Sequence, residues 1–343
     1  MPINSISVEN FTAFEKIEID FCAGINVFIG ENGTGKTHLL KILYAFCESE
    51  FTQEQESGEN IIFRSDFNCK LRNYFQSEGF NRLTWCRDDI ANDNKINIII
   101  DMHGVKYNFE IDKDIDEHKP YIFCRSVELK GQVSSVYIPA KEMLSYAGLE
   151  KDFRERNMSF DMTLIDILKK SEIPDLKELP DSMREILNSI SKTIGGKVVF
   201  TDGQYYVDKG NGLLIDFAAE AEGFKRLGLI YRLIETGYIK KGSVLIWDEP
   251  EANINPKLIP IIIKTLQELS RQGTQVFVAT HDYNFMKYFS VKKKHADELV
   301  FFSLYETENG TACERAEDYD LLENNPIIDA NTKLLEDEIE GTL

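Results

Sequence analysis

The sequence lacks the features that mark membrane-spanning, secreted and disordered proteins. Among its 343 residues, no apolar run approaches the roughly 20 residues that a membrane-spanning helix needs, and the first residues have neither the basic nor the apolar part of a signal peptide. The six cysteines are dispersed, without a Cys-x-x-Cys pair or histidines at metal-ligand spacing. These absences predict a cytoplasmic protein with free thiols, and a hydrophobic content of 43% excludes a disordered chain.

Positive charge is also scarce. Lysine and arginine number 39 against 58 aspartate and glutamate residues, so the formal net charge is −19. Such an excess repels nucleic acid at long range and argues against non-specific DNA binding by the whole surface. A solvated loop explains the one dense basic stretch, residues 292–295, as well as a contact site does.

Hydrophobic periodicity predicts an α/β fold. Apolar runs at residues 25–29, 243–247 and 275–280 indicate buried strands, and stretches with helical spacing of apolar residues lie beside them. Strands that alternate with helices are typical of a layered fold with parallel strands.

Changes in this pattern divide the chain into segments. Residues 1–141 are predicted to form a first lobe, with a β-rich insertion or side lobe over about 60–136. Residues 142–195 are predicted to be helical, but two prolines interrupt them and no heptad pattern survives, which excludes a long coiled-coil arm. Residues 196–313 are predicted to form a second lobe. Residues 314–343, with ten acidic and two basic residues, are expected to be a partly ordered, solvated tail.

The segment Gly30–Thr37 fits the phosphate-loop pattern G-x-x-x-x-G-K-[ST] and lies between a predicted strand and a predicted helix. Its glycines allow backbone N–H groups to surround phosphates, Lys36 would reach the β- and γ-phosphate oxygens, and Thr37 would offer a hydroxyl to Mg²⁺. We therefore predict that the chain binds ATP and Mg²⁺. The nucleotide contacts predicted from this loop are Asn32, Gly33, Thr34, Gly35, Lys36 and Thr37.

Two further segments supply acidic and basic groups. Residues 244–249 read as a buried strand that ends in Asp248 and Glu249, as in the second metal-binding motif of phosphate-loop ATPases. Asp248 would hold the hydration shell of Mg²⁺ and Glu249 would act as general base; an acidic turn that only ends the strand is the alternative. His281 follows another predicted strand, at the end where α/β sheets bind ligands, and is predicted to sense the γ-phosphate.

Together these motifs resemble the ABC-type ATPase heads of the SMC, RecF and OLD group over nearly the whole chain. The run Trp247–Asn253 is most similar to stand-alone bacterial ATPases of OLD-like type, several of which are subunits of anti-phage defence systems. The resemblance implies a mixed sheet core, Mg²⁺-dependent ATP hydrolysis, and a homodimer or higher homo-oligomer that forms around ATP. It also implies that Asn253 lies in a loop that contacts the second subunit and that His281 is the switch histidine.

Two motifs of that group are matched only in part. The signature segment is similar to residues 221–226, but Ala221 replaces a serine whose hydroxyl would touch the partner's γ-phosphate. Gly223, a helix N-terminus and two cations remain, and these can still meet a phosphate. The glutamine loop falls at residues 139–143, where Glu142 is predicted to replace the glutamine near Mg²⁺; an acid that opens a helix explains it equally well.

The resemblance leaves four functions to compare. The first is an ATPase that regulates a separate effector, a nuclease or toxin, in anti-phage defence; the residues after His281 number about 60, so a nuclease is expected on a partner chain. The second is a RecF-like repair head that binds duplex DNA, which the net charge disfavours. A transporter ATPase fits poorly with the β-rich segment 60–136. A nucleotide-locked scaffold would be insensitive to the loss of Glu249.

Overall fold

The structure is a computed structural model that describes residues 2–57, 60–85, 95–112, 122–126, 131, 133–141, 143, 161–308 and 310–342. The strands are β1 (Ile3–Phe11), β2 (Phe14–Asp20), β3 (Ile25–Gly30), β4 (Phe51–Ser57), β5 (Asn60–Ser65), β6 (Lys95–Met102), β7 (Val105–Asp112), β8 (Ile122–Ser126), β9 (Ser135–Ile138), β10 (Lys197–Thr201), β11 (Gln204–Asp208), β12 (Leu214–Asp216), β13 (Val244–Asp248), β14 (Gln275–Ala279), β15 (Leu299–Thr307) and β16 (Gly310–Ala316). The α-helices are α1 (Lys36–Glu48), α2 (Phe67–Phe75), α3 (Met162–Glu172), α4 (Asp181–Ile194), α5 (Glu222–Glu235), α6 (Ile259–Arg271), α7 (Tyr283–Lys292) and α8 (Pro326–Thr342). None of the described helices is long and apolar enough to span a membrane.

A six-stranded mixed sheet lies at the centre, in the order β16-β15-β3-β14-β13-β9. The strands from β15 to β9 run parallel, and β16 pairs antiparallel with β15. The parallel strands are buried on both faces, which is why their sequences are continuous apolar runs rather than alternating ones. The mixed sheet core that the sequence predicts is confirmed, and the carboxyl ends of β3, β13 and β14 share one edge.

The strands of the β-rich insertion join the opening strands in one sheet. Strands β6, β7, β8 and β5 of the insertion continue the sheet that β1 and β2 begin, in the order β2-β1-β6-β7-β8-β5-β4. Strand β6 pairs antiparallel with β1, and alternate residues of both strands face the core. The sequence analysis treated the opening strands and the insertion separately because their pairing joins residues about a hundred positions apart, which periodicity does not reveal.

Helix α1 lies between the two sheets. Its apolar side chains pack in one hydrophobic cluster with those of the seven-stranded sheet and with one face of the central sheet, including Ile246 and Phe277. The other face of the central sheet, including Trp247 and Val278, packs with α4, α5 and α6. Because alternate side chains of each central strand enter different cores, the strand ends beside α1 are held in fixed positions.

The C-terminal segment, expected to be a partly ordered, solvated tail, is largely helical and exposed. It contains the end of β16 and the helix α8, in which the sequence Asn325-Pro326 acts as the start signal. The side chain of Asn325 accepts a hydrogen bond from the N–H of Ile328 over 3.2 Å, and proline suits the first helical position. Beyond this anchored first turn, Leu334, Leu335 and Ile339 are more than half exposed. The sequence analysis did not predict this helix because the segment is acidic, and its charged residues lie on solvated faces.

Candidate active site

The phosphate loop connects β3 to α1. Strand β3 ends at Gly30 and α1 begins at Lys36, and between them Gly33 and Gly35 have φ angles of 89° and 90°. Residues with a side chain rarely adopt this left-handed backbone. At Gly35 a Cβ atom would also lie 2.6 Å from the ring of Phe14. The path of the loop therefore requires these motif glycines.

The side chain of Lys36, the residue that follows the loop, extends back over the loop. Its Nζ donates hydrogen bonds to the carbonyl oxygens of Gly30 (2.9 Å) and Glu31 (2.7 Å). Thr34 Oγ1 donates to the same Glu31 carbonyl over 2.9 Å, and Asn32 is exposed at the tip of the loop. Burial lowers the pKa of Lys36 to about 8, although nearby carboxylates raise it in part. A phosphate anion bound within the loop would raise this pKa again, because it favours the charged ammonium.

A buried carboxylate connects α1 to β13. Asp248 Oδ2 accepts a hydrogen bond from Thr37 Oγ1 (2.8 Å) and another from the hydroxyl of Tyr137 (3.1 Å). Burial raises the pKa of Asp248. It also raises the pKa of Tyr137 well above its ordinary value, so the phenol keeps its proton and is the donor. The motif residues Thr37 and Asp248 are thus in direct contact, and Tyr137 is a partner that motif matching missed. Its sequence signal is a tyrosine inside the apolar strand before Pro139.

Glu249 and His281 face each other just beyond the ends of β13 and β14. Strand β13 ends at Asp248, and Glu249 has a φ of 47°, so the two neighbouring carboxylates are not constrained to opposite faces of a strand. Glu249 Oε1 lies 3.4 Å from His281 Nε2. Burial and the charge of Lys36 lower the pKa of His281. The ring is therefore largely neutral near pH 7 and can donate a hydrogen bond to the carboxylate or to a ligand.

Glu251 is a second residue that motif matching missed. Its Oε1 accepts hydrogen bonds from Thr280 Oγ1 (2.6 Å) and from the backbone N–H of His281 (3.0 Å). Burial raises its pKa to about 7. Through these two hydrogen bonds, Glu251 connects the segment after Glu249 to the turn that carries His281. The available signal was a second glutamate directly after Pro250, in the segment that the resemblance assigned to a loop contacting the second subunit.

Oxygen donors at the junction of α1 and β13 suit Mg²⁺. This cation prefers oxygen ligands, keeps several waters, and is usually bound by one or two protein groups together with substrate phosphates. The hydroxyl of Thr37 and the carboxylate of Asp248 are such a pair. Within the described part of the chain, no group of three or more His, Cys, Asp or Glu side chains could hold a metal ion. The residues present therefore fit a cation whose other ligands come from nucleotide and water. Glu142 lies outside the described residues.

The signature segment packs against other residues of the same chain. Gly223, in the first turn of α5, packs against Leu258 and Ile254, close to Asn253, which is exposed with a φ of 59°. The contacts of Gly223 therefore group the signature segment with the segment after Glu249 rather than with the phosphate loop.

The two cations of the signature segment differ from the expectation that they face a phosphate. Lys225 is 6% exposed and pairs with Glu222 over 3.0 Å. Arg226 is 3% exposed and donates to the carbonyl oxygens of Pro139 and Ala140. The cause is the helical register, which directs both side chains toward the protein interior.

A cleft of about 870 Å³ opens beside the phosphate loop. Its lining includes residues 30–32, His281 and residues from the first half of α8, among them Ala330, Asn331 and Leu334. The segment that was expected to be a solvated tail therefore borders the candidate nucleotide site.

The fold and the site define a phosphate-loop protein, in which the loop after β3 and the carboxylate at the end of β13 meet at one sheet edge. The chain belongs to the protein family described as "AAA domain, putative AbiEii toxin, Type IV TA system", whose sequence profile matches residues 70–287.

Similar proteins agree with this class. The DNA replication and repair protein RecF of Cytophaga hutchinsonii is 31% identical over 121 residues, which are 35% of this chain and 27% of that protein. RecF of Staphylococcus epidermidis is 26% identical over 147 residues, 40% of each chain. The chain thus spans about a quarter to two fifths of the length of these curated relatives. The SMC head domain from Thermotoga maritima has the same fold, with a TM-score of 0.53, 13% identity, and coverage of 92% of this chain and 99% of that one. The chain therefore belongs to this AAA-domain family and shares its fold with an SMC head domain.

Proposed function

We propose that the protein hydrolyses ATP with Mg²⁺, dimerises around the nucleotide, and thereby regulates a separate nuclease or toxin in a bacterial anti-phage defence system. The observation that carries the proposal is the meeting of four motif residues at one sheet edge. Thr37 contacts Asp248 over 2.8 Å, and Glu249 lies 3.4 Å from His281, beside the phosphate loop. Carboxyl ends of parallel strands are the usual ligand sites of α/β sheets.

Each residue has a role in the proposed hydrolysis. Lys36 turns from the loop carbonyls toward the β- and γ-phosphate oxygens, and Thr37 and Asp248 hold the cation and its water. Bound Mg²⁺ supplies positive charge that stabilises the phosphate oxygens. Glu249 removes a proton from the attacking water. His281, neutral at physiological pH, donates a hydrogen bond at the γ-phosphate and is oriented through its backbone by Glu251.

The dimer completes the site in this proposal. The exposed start of α5, at Ala221 and Glu222, and the exposed Asn253 are the groups that a second copy would bring to the nucleotide. A helix N-terminus attracts phosphate through its free N–H groups and its partial positive charge. Because Lys225 and Arg226 are engaged internally, this backbone contact is the main attraction that the signature segment can offer. The division into lobes 1–141 and 196–313 remains part of the proposal.

Regulation of an effector is supported by the family description, which names a putative toxin and a toxin–antitoxin system. These words of the description agree with ATP-driven closure that serves a toxic outcome rather than transport.

The experiment is mass determination by light scattering on the full chain, purified together with the products of its neighbouring genes. Wild type and Glu249→Gln are compared with and without Mg-ATP, and Lys36→Ala is the matched control that should not respond to nucleotide. We expect a dimer that Glu249→Gln stabilises, and a copurifying nuclease-sized or toxin-sized partner whose association depends on ATP. Dimers that never bind a partner would contradict the effector role.

A second candidate is a DNA-repair head, which the RecF matches favour. It predicts that duplex DNA stimulates ATP turnover and that the stimulation falls steeply with salt. The net charge of −19 weighs against it. Turnover measured with and without duplex DNA at two salt concentrations separates the two candidates.

A further inference from the structure

Tyr137 reaches Asp248 from the neighbouring strand. Strand β9 runs parallel to β13, with Tyr137 opposite Ile246. Ile246 and Asp248 lie on the same face of β13 because side chains alternate along a strand. A tyrosine beside Ile246 can therefore extend to the carboxylate two residues further on, and its hydroxyl lies 3.1 Å from Asp248 Oδ2.

The two donors to Asp248 come from different elements. Thr37 donates from the first turn of α1, and Tyr137 donates from β9; both bonds end on Oδ2. A carboxylate held by one hydrogen bond can still turn about its side-chain torsions. Two donors on separate, packed elements fix the orientation of the carboxylate. A side chain that binds a ligand needs such a fixed orientation.

Tyr137 is itself held rigidly. It is 2% exposed, and its ring packs against that of Tyr44 with centroids 5.5 Å apart. The hydroxyl of Tyr44 accepts a hydrogen bond from Lys170 (2.9 Å), whose Nζ also pairs with Glu48 over 2.7 Å. Tyr137 therefore packs on a ring that is itself held by Lys170, which limits the movement of the Tyr137 hydroxyl beside Asp248.

We propose that Tyr137 is a positioning residue for Mg²⁺, whose hydroxyl holds the Asp248 carboxylate in the orientation that binds the hydrated cation. This inference rests on the proposed function, because it requires a nucleotide-dependent Mg²⁺ site at Thr37 and Asp248. Groups that orient metal ligands by hydrogen bonding typically affect metal affinity by about 10–100-fold.

The test is the Mg²⁺ dependence of nucleotide binding. Binding of a fluorescent ATP analogue to the full chain is measured while Mg²⁺ is varied, and the half-saturating Mg²⁺ concentration is determined. Tyr137→Phe keeps the buried ring and removes only the hydroxyl. Tyr74→Phe is the matched control, since Tyr74 is equally buried and its hydroxyl donates to a different carboxylate, Asp166, over 2.8 Å.

We expect Tyr137→Phe to raise the half-saturating Mg²⁺ concentration about tenfold, while binding in excess EDTA stays unchanged and Tyr74→Phe behaves as wild type. An unchanged Mg²⁺ midpoint in Tyr137→Phe would overturn the inference, as would an equal shift in Tyr74→Phe. If wild-type binding does not depend on Mg²⁺ at all, the proposed metal site fails, and that outcome is distinct from failure of the positioning role.

A second measurement covers the case in which Tyr137→Phe does not fold. Incorporation of 3-fluorotyrosine at position 137 retains the hydroxyl and supplies a fluorine resonance. In the presence of nucleotide, that resonance should move on addition of Mg²⁺ with the same midpoint as nucleotide binding. A fluorine chemical shift that does not change on addition of Mg²⁺ would contradict the proposal.

Discussion

The candidate nucleotide site (Gly30–Thr37, Asp248, Glu249 and His281) and the signature segment (residues 221–226) use their polar side chains differently. In the first, motif residues act on one another within the chain, and Thr37 donates directly to Asp248. In the second, the side chains at the start of α5 serve the chain's own packing. Lys225 pairs with Glu222, and Arg226 binds backbone carbonyls. The nucleotide site is thus nearly assembled within one chain, and the signature segment is a helix start whose exposed groups still need a partner.

This difference shows which contacts of a site shared by two copies can be observed in one copy alone. Contacts within one chain are fixed by its own packing, so their geometry can be measured directly. A group that acts on a second copy has no such contact, and Ala221 at the N-cap of α5 makes no side-chain capping bond that would fix it. Mutations in the nucleotide site should therefore affect chemistry and nucleotide binding, whereas mutations in the signature segment should affect association of two copies.

The largest effect is expected for Glu249→Gln. Glutamine has the same shape but cannot accept a proton from water, and general bases typically contribute about 10²–10⁴-fold to the rate. The turnover number should fall by at least about 100-fold, while ATP affinity is retained because the phosphate loop and Asp248 are untouched. Steady-state phosphate release and nucleotide binding measure the two quantities. Glu268→Gln, on the partly exposed face of α6, is the control. Wild-type turnover in Glu249→Gln would show that another group is the base.

Lys36→Ala should chiefly weaken binding. The ammonium can form charge-assisted hydrogen bonds with phosphate oxygens, each contributing about 1.5–3 kcal/mol, so ATP affinity should fall by about 100-fold. Isothermal calorimetry is the measurement. Lys41→Ala removes a cation from the same helix, but one that pairs with Asp161 over 2.7 Å, and it should leave affinity nearly unchanged. Equal losses in the two variants would indicate a general electrostatic effect instead of a specific contact.

The sequence predicted more of the nucleotide site than of the signature segment, for a physical reason. Phosphate-loop glycines, a lysine and a strand-ending carboxylate pair have fixed spacing because the turn geometry and strand end demand it. Tyr137 and Glu251 have no such spacing, since they reach the site through strand pairing and through a turn. The helix α8 was missed because its capping signal at Asn325 is local, whereas its composition is that of a solvated segment.

Glu251→Gln should change the pH dependence of stability. The pKa of Glu251 is raised from its ordinary 4.5 to about 7, because burial disfavours the charged form. A carboxyl with a raised folded-state pKa contributes stability that is present below pH 4.5 and is lost as pH rises to about 7. The loss is at most on the order of 3 kcal/mol. Glutamine keeps an oxygen that can accept from Thr280 and from the His281 N–H, without the charge.

The stability of Glu251→Gln relative to wild type should therefore be higher at pH 8 than at pH 5, by about 2 kcal/mol. Urea unfolding at both pH values measures this difference. Glu178→Gln, at an exposed position, removes one carboxylate without a burial effect and should show no such trend. A pH-independent difference for Glu251→Gln would mean that the carboxyl is not desolvated as the structure indicates.

The smallest effect, and the sharpest test of the comparison, is expected for Ala221→Ser. Ala221 has the extended backbone of an N-cap, with φ of −64° and ψ of 142°, so a serine hydroxyl can cap α5 and stabilise the monomer by about 1 kcal/mol. If the signature alignment is right, the same hydroxyl also reaches the partner's nucleotide, and ATP-dependent dimer affinity rises by up to about tenfold. Ala221→Asp separates the two effects, because aspartate caps the helix as well but repels phosphate. Sedimentation with Mg-ATP should therefore show tighter dimers for serine and weaker ones for aspartate, although both raise the melting temperature. Equal dimerisation of the two variants would mean that this helix start does not face a phosphate.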